Sequence, residues 1–96
     1  MNDYADVNRA LMLDANAIAG TLREIFTTEM TVGPIECAHC GREGPVGSLL
    51  AFVQGPGVVL RCPWCENIVL RLARTPGGIS LDARGAAYLS VPLAAQ

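Results

Sequence analysis

Apolar residues in the first quarter of the chain recur at intervals of three and four positions. The series consists of Val7, Leu11, Ala15, Ile18, Leu22 and Ile25. Because a helix turns once in about 3.6 residues, this spacing places all of them on one face and predicts an amphipathic helix over residues 4–27. Asp14 leaves two interpretations open: it lies inside one long helix, or its carboxylate caps a second helix that begins there.

From Ile35 onward the pattern changes to short apolar runs that are separated by turn residues. The runs have the length of strands and lie at residues 49–54, 58–61, 68–73, 79–82 and 87–91. Gly55-Pro56-Gly57 and the Thr-Pro-Gly-Gly segment at 75–78 have the chemistry of hairpin connections, and Gly85 indicates a later turn. We therefore expect an antiparallel sheet of four or five strands.

Two of these runs indicate which face of the sheet is buried. In these two runs apolar and polar residues alternate. The apolar residues are Leu70, Leu72, Ile79 and Leu81, and the polar residues between them are Arg71, Ser80 and Asp82. Side chains alternate between the two faces of a strand, so one face is apolar and the other polar. The N-terminal helix is expected to cover the apolar face. The predicted fold is α+β in a single domain over residues 1–96, with a helical segment at 1–30 and a β region at 31–96.

The chemistry of the chain is concentrated in its four cysteines. They form two pairs, Cys37-Ala38-His39-Cys40-Gly41 and Cys62-Pro63-Trp64-Cys65, separated by the twenty-one residues 41–61. Two residues between cysteines allow a tight turn, a knuckle, to aim both sulfurs at one point, and Gly41 and Pro63 help to form these turns. The pattern predicts one tetrahedral ion, preferentially Zn²⁺, bound by Cys37, Cys40, Cys62 and Cys65. Four protein ligands leave no open position, so the ion is expected to be structural and the β region to be a zinc ribbon.

The cysteine pairs and their neighbours have other interpretations besides a metal site. The acidic N-terminal residues Asp3 and Asp6 do not resemble a secretory signal, so a reducing cytoplasmic location is expected and disulfides are disfavoured. His39 is an alternative ligand, but its place inside the first knuckle favours an exposed, ordinary histidine. Cys-Pro-Trp-Cys is similar to the redox pair of glutaredoxin-type proteins, which a following β-type run disfavours. Trp64 either packs over a sheet edge or anchors in a pocket of a partner.

Composition and charge limit the remaining functions. Residues 1–36 carry six acids against two arginines, a net charge of −4, and the rest carries five arginines against three acids, a net of +2. The candidates for a patch that binds anions or nucleic acid are Arg42, Arg61, Arg71, Arg74 and Arg84. They are interleaved with Glu43, Glu66 and Asp82, so most are expected to be solvated charges at sheet edges. No clustered basic surface favours nucleic acid, no apolar run spans a membrane, and no catalytic constellation indicates an enzyme. A hydrophobic content of 51% favours a protein partner or a second copy.

The knuckles resemble those of zinc-ribbon proteins and of rubredoxin, whose four cysteines hold redox-active iron. Glu66 follows Cys65 where rubredoxin has glycine, and the aromatic core of rubredoxin is missing. The chain also resembles a family of small proteins from high-G+C bacteria without an assigned activity. That resemblance covers residues 13–91 and runs through Leu13-Asp14, Asn16, Ala19-Gly20, both knuckles, Arg61, Leu81-Asp82 and Arg84-Gly85.

These observations favour a non-enzymatic protein-interaction module that is held together by structural zinc. An iron electron carrier of the rubredoxin type is the alternative, because iron uses the same four thiolates. A nucleic-acid-binding ribbon is a weaker alternative that depends on fold analogy alone.

Overall fold

The computed structural model describes residues 13–26 and 28–93. Within these residues it contains eight strands, one α-helix and three turns of 3₁₀ helix. The strands are β1 (Leu13–Asp14), β2 (Pro34–Cys37), β3 (Glu43–Pro45), β4 (Leu50–Gln54), β5 (Gly57–Arg61), β6 (Ile68–Thr75), β7 (Gly78–Asp82) and β8 (Ala86–Leu89). The helix α1 spans Ala19–Ile25, and the 3₁₀ turns span Ala15–Ile18, Met30–Val32 and Val46–Ser48. No helix in these ranges is long and apolar enough to cross a membrane.

The helical segment begins at Asp14. The backbone of Asp14 is extended, at φ −84° and ψ 166°, and its carboxylate accepts a hydrogen bond of 3.1 Å from the Asn16 N–H. β1 pairs antiparallel with β4, so residues 13 and 14 cannot also be helical. The prediction of one long helix through Asp14 is therefore wrong, and the capped alternative is confirmed, although its first turn is 3₁₀. The predicted helical residues 4–12 lie outside the described residues.

The larger sheet is antiparallel, with the strand order β1-β4-β5-β6-β7. Four strands are of full length, and the two-residue β1 extends one edge. Gln54 pairs with Gly57 and Thr75 pairs with Gly78, so each of the two predicted hairpins has a two-residue loop. Both hairpin predictions are confirmed.

The second sheet is small and has the order β3-β2-β8, again antiparallel. The prediction of a single sheet is therefore wrong, and the turn at Gly85 does not close a hairpin. Instead it sends the chain from β7 to β8, which pairs with β2. A Cβ on Gly85 would overlap the Ile68 carbonyl group, so only glycine fits where this turn crosses β6.

One hydrophobic core lies between α1 and the two sheets. Its buried members include Leu22 of α1, Ile35 of β2, and Leu60 and Leu70 of β5 and β6. The Glu24 carboxylate of α1 accepts two hydrogen bonds, of 2.9 and 2.6 Å, from the Arg74 guanidinium of β6. This contact attaches the helix to the sheet, and Arg74 holds the pKa of Glu24 below its usual value.

The predicted burial pattern is confirmed on β6 and fails in part on β7. Leu70 and Leu72 are buried, whereas Ile79 is half-buried and Leu81 is 37% exposed. β7 lies at the edge of the large sheet, where it pairs with β6 alone among the described strands, so its side chains are covered less than those of the central strands.

Candidate metal centre

The first knuckle connects β2 with β3. Cys37 is the last residue of β2, and its N–H donates to the Arg42 carbonyl at 2.9 Å. The Gly41 N–H donates to the Cys37 carbonyl at 2.9 Å, and the His39 N–H donates to Cys37 Sγ at 3.4 Å. Gly41 has a φ of 78°, in the left-handed region that glycine adopts without strain. The turn therefore closes with its amides directed at the carbonyl and sulfur of Cys37.

The second knuckle, between β5 and β6, repeats these hydrogen bonds position by position. The Cys62 N–H donates to the Asn67 carbonyl and the Glu66 N–H to the Cys62 carbonyl, both at 2.9 Å. The Trp64 N–H donates to Cys62 Sγ at 3.4 Å. The two Cys-x-x-Cys sequences thus form the same local structure, although they belong to different sheets.

Glu66 is the one unusual residue of this repeat. It has a φ of 64° at the position that Gly41 occupies in the first knuckle. A residue with a Cβ is disfavoured there by about 1–2 kcal/mol. Two side chains hold the strained turn: Arg61 Nη1 donates to the Glu66 carbonyl at 2.9 Å, and Asn67 Nδ2 donates to Cys65 Sγ at 3.4 Å. The first knuckle shows no equivalent side-chain donor among the described residues.

The two knuckles bring all four cysteine sulfurs together, within 4.8 Å of one another. Cys37 Sγ lies 3.6 Å from Cys65 Sγ, and Cys40 Sγ lies 3.7 Å from Cys62 Sγ. A tetrahedron with metal–sulfur distances of about 2.3 Å has sulfur–sulfur distances of about 3.8 Å. The four cysteines are therefore positioned to hold a metal ion. All four are free, and these separations far exceed the roughly 2.0 Å of a disulfide bond.

The four sulfurs differ in environment. Cys37 and Cys62 are buried, Cys65 is half-buried and Cys40 is exposed. Hydrogen bonds from the backbone and side chain of Asn67 lower the pKa of Cys65 to about 6. A backbone hydrogen bond from Arg42 favours the Cys40 thiolate, but desolvation and the neighbouring thiols raise the pKa of Cys40 to about 11. A metal ion must therefore displace protons from this cluster, and its affinity is expected to rise with pH.

The two other residues of interest in the knuckles lie outside the sulfur cluster. His39 is exposed, as expected for an ordinary histidine rather than a ligand. Trp64 is 47% exposed and its ring reaches across to the first knuckle, where it lies against Gly44 and beneath the Arg42 guanidinium at 5.5 Å. This contact fits the packing interpretation of Trp64 and leaves half of the ring accessible.

Most of this chain matches a known protein family. The model of one family matches residues 6–94, nearly the whole chain, both knuckles included. The chain belongs to the family of unknown function DUF6510. This agrees with the resemblance to a family without an assigned activity, whereas no zinc-ribbon or rubredoxin family is identified. Comparison with curated proteins and with solved structures gives no match. DUF6510 membership therefore adds no activity to what the site itself indicates.

Sequence reasoning missed two residues that support this centre. Asn67 contacts Cys65, and Arg61 contacts the backbone of Glu66. Arg61 directly precedes Cys62 and Asn67 lies two residues after Cys65, but neither residue type predicts the contact that it makes.

Proposed function

We propose that this DUF6510 protein binds one structural Zn²⁺ through Cys37, Cys40, Cys62 and Cys65. The observation that carries the proposal is the convergence of four sulfurs at separations suited to a tetrahedral ion. Four thiolates in a tetrahedron are the ligand set that structural zinc prefers. N–H groups donate to Cys37, Cys62 and Cys65, which stabilises the anionic sulfurs.

The ion would fasten the small sheet to the large one. Cys37 and Cys40 lie on the β2–β3 connection, and Cys62 and Cys65 lie on the β5–β6 connection. Metal binding in small zinc modules contributes on the order of 10 kcal/mol or more to folding. A chain of 96 residues has a limited core, so folding of the β region is expected to depend on the ion.

We propose further that the folded unit is a non-enzymatic interaction module. A closed four-cysteine site offers no position for water or substrate. Several large apolar side chains are exposed, namely Val32, Val53, Trp64, Leu81, Tyr88, Val91 and Leu93. Such residues favour contact with a protein partner or a second copy of this chain.

The experiment is metal analysis of the full chain, purified from cells that are supplied with zinc and iron together. One zinc per chain and no iron is expected, with Co²⁺ giving the absorption of a tetrahedral thiolate site. Cys37→Ser is expected to weaken Co²⁺ binding strongly, and Ser48→Ala outside the cluster serves as the control. A Co²⁺ spectrum unchanged in the Cys37 variant would refute the ligand assignment. Analytical ultracentrifugation then tests whether the protein is an interaction module. A protein that stays monomeric at all concentrations and captures no partner would contradict this proposal.

An iron electron carrier is the second candidate. The exposed Cys40 offers a short route between a bound ion and solvent, and the N–H groups that donate to sulfur would favour reduced iron as well as zinc. It predicts a red protein that bleaches on reduction. If protein from the native organism contains mainly iron, the electron-carrier proposal replaces the zinc proposal.

A further inference from the structure

A cleft opens beside the first knuckle, on the side where β6 and β7 approach it. It encloses about 390 Å³. Its walls come from separate parts of the chain: the first knuckle, β6, the end of β7 and the turn that leads into β8. The lining residues are His39, Ile68, Val69, Arg71, Asp82, Arg84 and Gly85. None of the four cysteines lines it.

The backbone that forms the cleft is held at both ends. The Ala38 N–H donates to the Gly85 carbonyl at 2.9 Å, which ties the first knuckle to the turn. Gly85 in turn lies directly against the backbone of Ile68 and Val69, where a Cβ would overlap. The backbone that lines the cleft is therefore fixed by main-chain contacts, which lowers the part of the entropy cost of ligand binding that comes from ordering the backbone. The Arg84 side chain itself is 91% exposed.

Two arginines line this cleft, Arg71 and Arg84. The remaining arginines of the β region are engaged elsewhere, Arg42 with Trp64, Arg61 with Phe52 and Arg74 with Glu24. Arg71 and Arg84 are both exposed, and 91% of the Arg84 side chain is accessible, which agrees with the expectation of solvated charges. Each faces a shared concave surface together with His39.

Asp82 is the one carboxylate that lines the cleft, and it already forms an ion pair with Arg84. Its Oδ2 accepts from Arg84 Nη2 at 2.7 Å, and its Oδ1 accepts from the Arg84 N–H at 3.0 Å. The Arg84 side chain holds the pKa of Asp82 at about 2, so this carboxylate stays ionised and orients the guanidinium. Arg71 lies opposite Asp82 in the β6–β7 register, and its positive charge also lowers the pKa of Asp82. In residues 13–26 and 28–93 Arg71 makes no ion pair within 4.0 Å. Arg71, Arg84 and Asp82 together leave one uncompensated positive charge.

We propose that this cleft binds a phosphate group, with Arg71 and Arg84 as its cationic contacts and His39 as a further hydrogen-bonding residue. A guanidinium matches the oxygen geometry of phosphate and donates two parallel hydrogen bonds to it. A zinc ion with four thiolates carries a charge of −2 behind the first knuckle, which opposes anion binding. Free phosphate should therefore bind in the millimolar range, and a natural phosphorylated ligand would add contacts outside the arginines.

The test is an NMR titration of the zinc-loaded, isotope-labelled full chain with inorganic phosphate at constant ionic strength. Saturable shifts are expected in the amides of residues 82–85 and in the Arg71 side chain. Arg71→Gln should weaken binding about tenfold, the loss that corresponds to one charge-assisted contact. Arg71 is exposed, so this variant is expected to fold, which its amide spectrum checks.

Arg42→Gln is the matched control, because it removes the same charge outside the cleft and should leave phosphate binding unchanged. Acetate is the control ligand and should bind more weakly than phosphate. The proposal is overturned if the shifts do not saturate, if Arg42→Gln weakens binding as much as Arg71→Gln, or if acetate saturates the same signals equally well.

Discussion

The two knuckles allow the free-energy cost of a left-handed backbone to be compared between a glycine and a residue with a Cβ. Gly41 and Glu66 occupy the same left-handed position, with φ of 78° and 64°. A Cβ costs about 1–2 kcal/mol there, and glycine loses about 0.5–1 kcal/mol more entropy on folding. The difference predicts that Glu66→Gly is more stable than Glu66→Ala by about 0.5–1 kcal/mol. The alanine variant also removes the carboxylate, so this comparison isolates the backbone.

The reverse change at Gly41 is expected to destabilise the protein by a similar amount. Among the described residues, chain neighbours aside, no atom lies within 4 Å of a Cβ built on Gly41, so Gly41→Ala introduces strain without a clash. Gly20 supplies the control: it is exposed on α1, and the described residues outside the helix leave open space around an added Cβ. There the helix favours alanine, and Gly20→Ala should stabilise the protein by up to about 1 kcal/mol.

Urea unfolding at a fixed free zinc concentration measures all these variants, because zinc binding contributes to the apparent stability. Opposite signs for Gly41→Ala and Gly20→Ala are the central expectation. Equal effects of the two changes, or a Glu66→Gly variant no more stable than Glu66→Ala, would refute the argument from left-handed backbone.

Three further predictions concern the core, an acidic side chain and the metal. Leu22→Ala should lower the free energy of unfolding by about 2–5 kcal/mol because it leaves a cavity in the core. Leu81→Ala on the exposed edge strand should cost much less in the same urea assay, and similar losses would contradict the burial assignment. Hydrogen bonds from the Thr31 side chain and Arg23 lower the pKa of Glu29 from 4.5 to about 2. The ionised carboxylate therefore stabilises the folded state at neutral pH. That contribution is lost as the pH falls from about 4.5 to 2. Its carboxyl NMR signal should stay constant between pH 7 and 4, whereas a midpoint near 4.3 would contradict the contact. Removal of metal by a strong chelator should abolish the dispersed amide spectrum of both sheets, and a native spectrum in the metal-free chain would show that the ion is dispensable.

Local turn chemistry was sufficient to predict the hairpins of the large sheet. Gly55-Pro56 and Pro76-Gly77 form the loops that their residue types favour, and the flanking strands follow directly in sequence. The cysteine spacing likewise predicted a cluster that the fold brings together. In each case the decisive information lies within a few residues.

The parts that the sequence did not predict depend on contacts between distant residues. β2 and β8 are four residues long and pair across about fifty positions, so neither a short apolar run nor a turn predicts their sheet. The apolar periodicity continues across Leu13 and Asp14, and only pairing with β4 shows that the helix cannot pass through them. Glu66 takes a left-handed backbone that its residue type disfavours, because the Cys62–Cys65 turn requires it.

X-ray absorption at the zinc edge of the purified full chain measures directly which atoms bind the ion. A first shell of four sulfur atoms at about 2.3 Å, with no nitrogen or oxygen, is expected. A shell with fewer than four sulfurs, or with a histidine nitrogen or a water oxygen among the ligands, would contradict it.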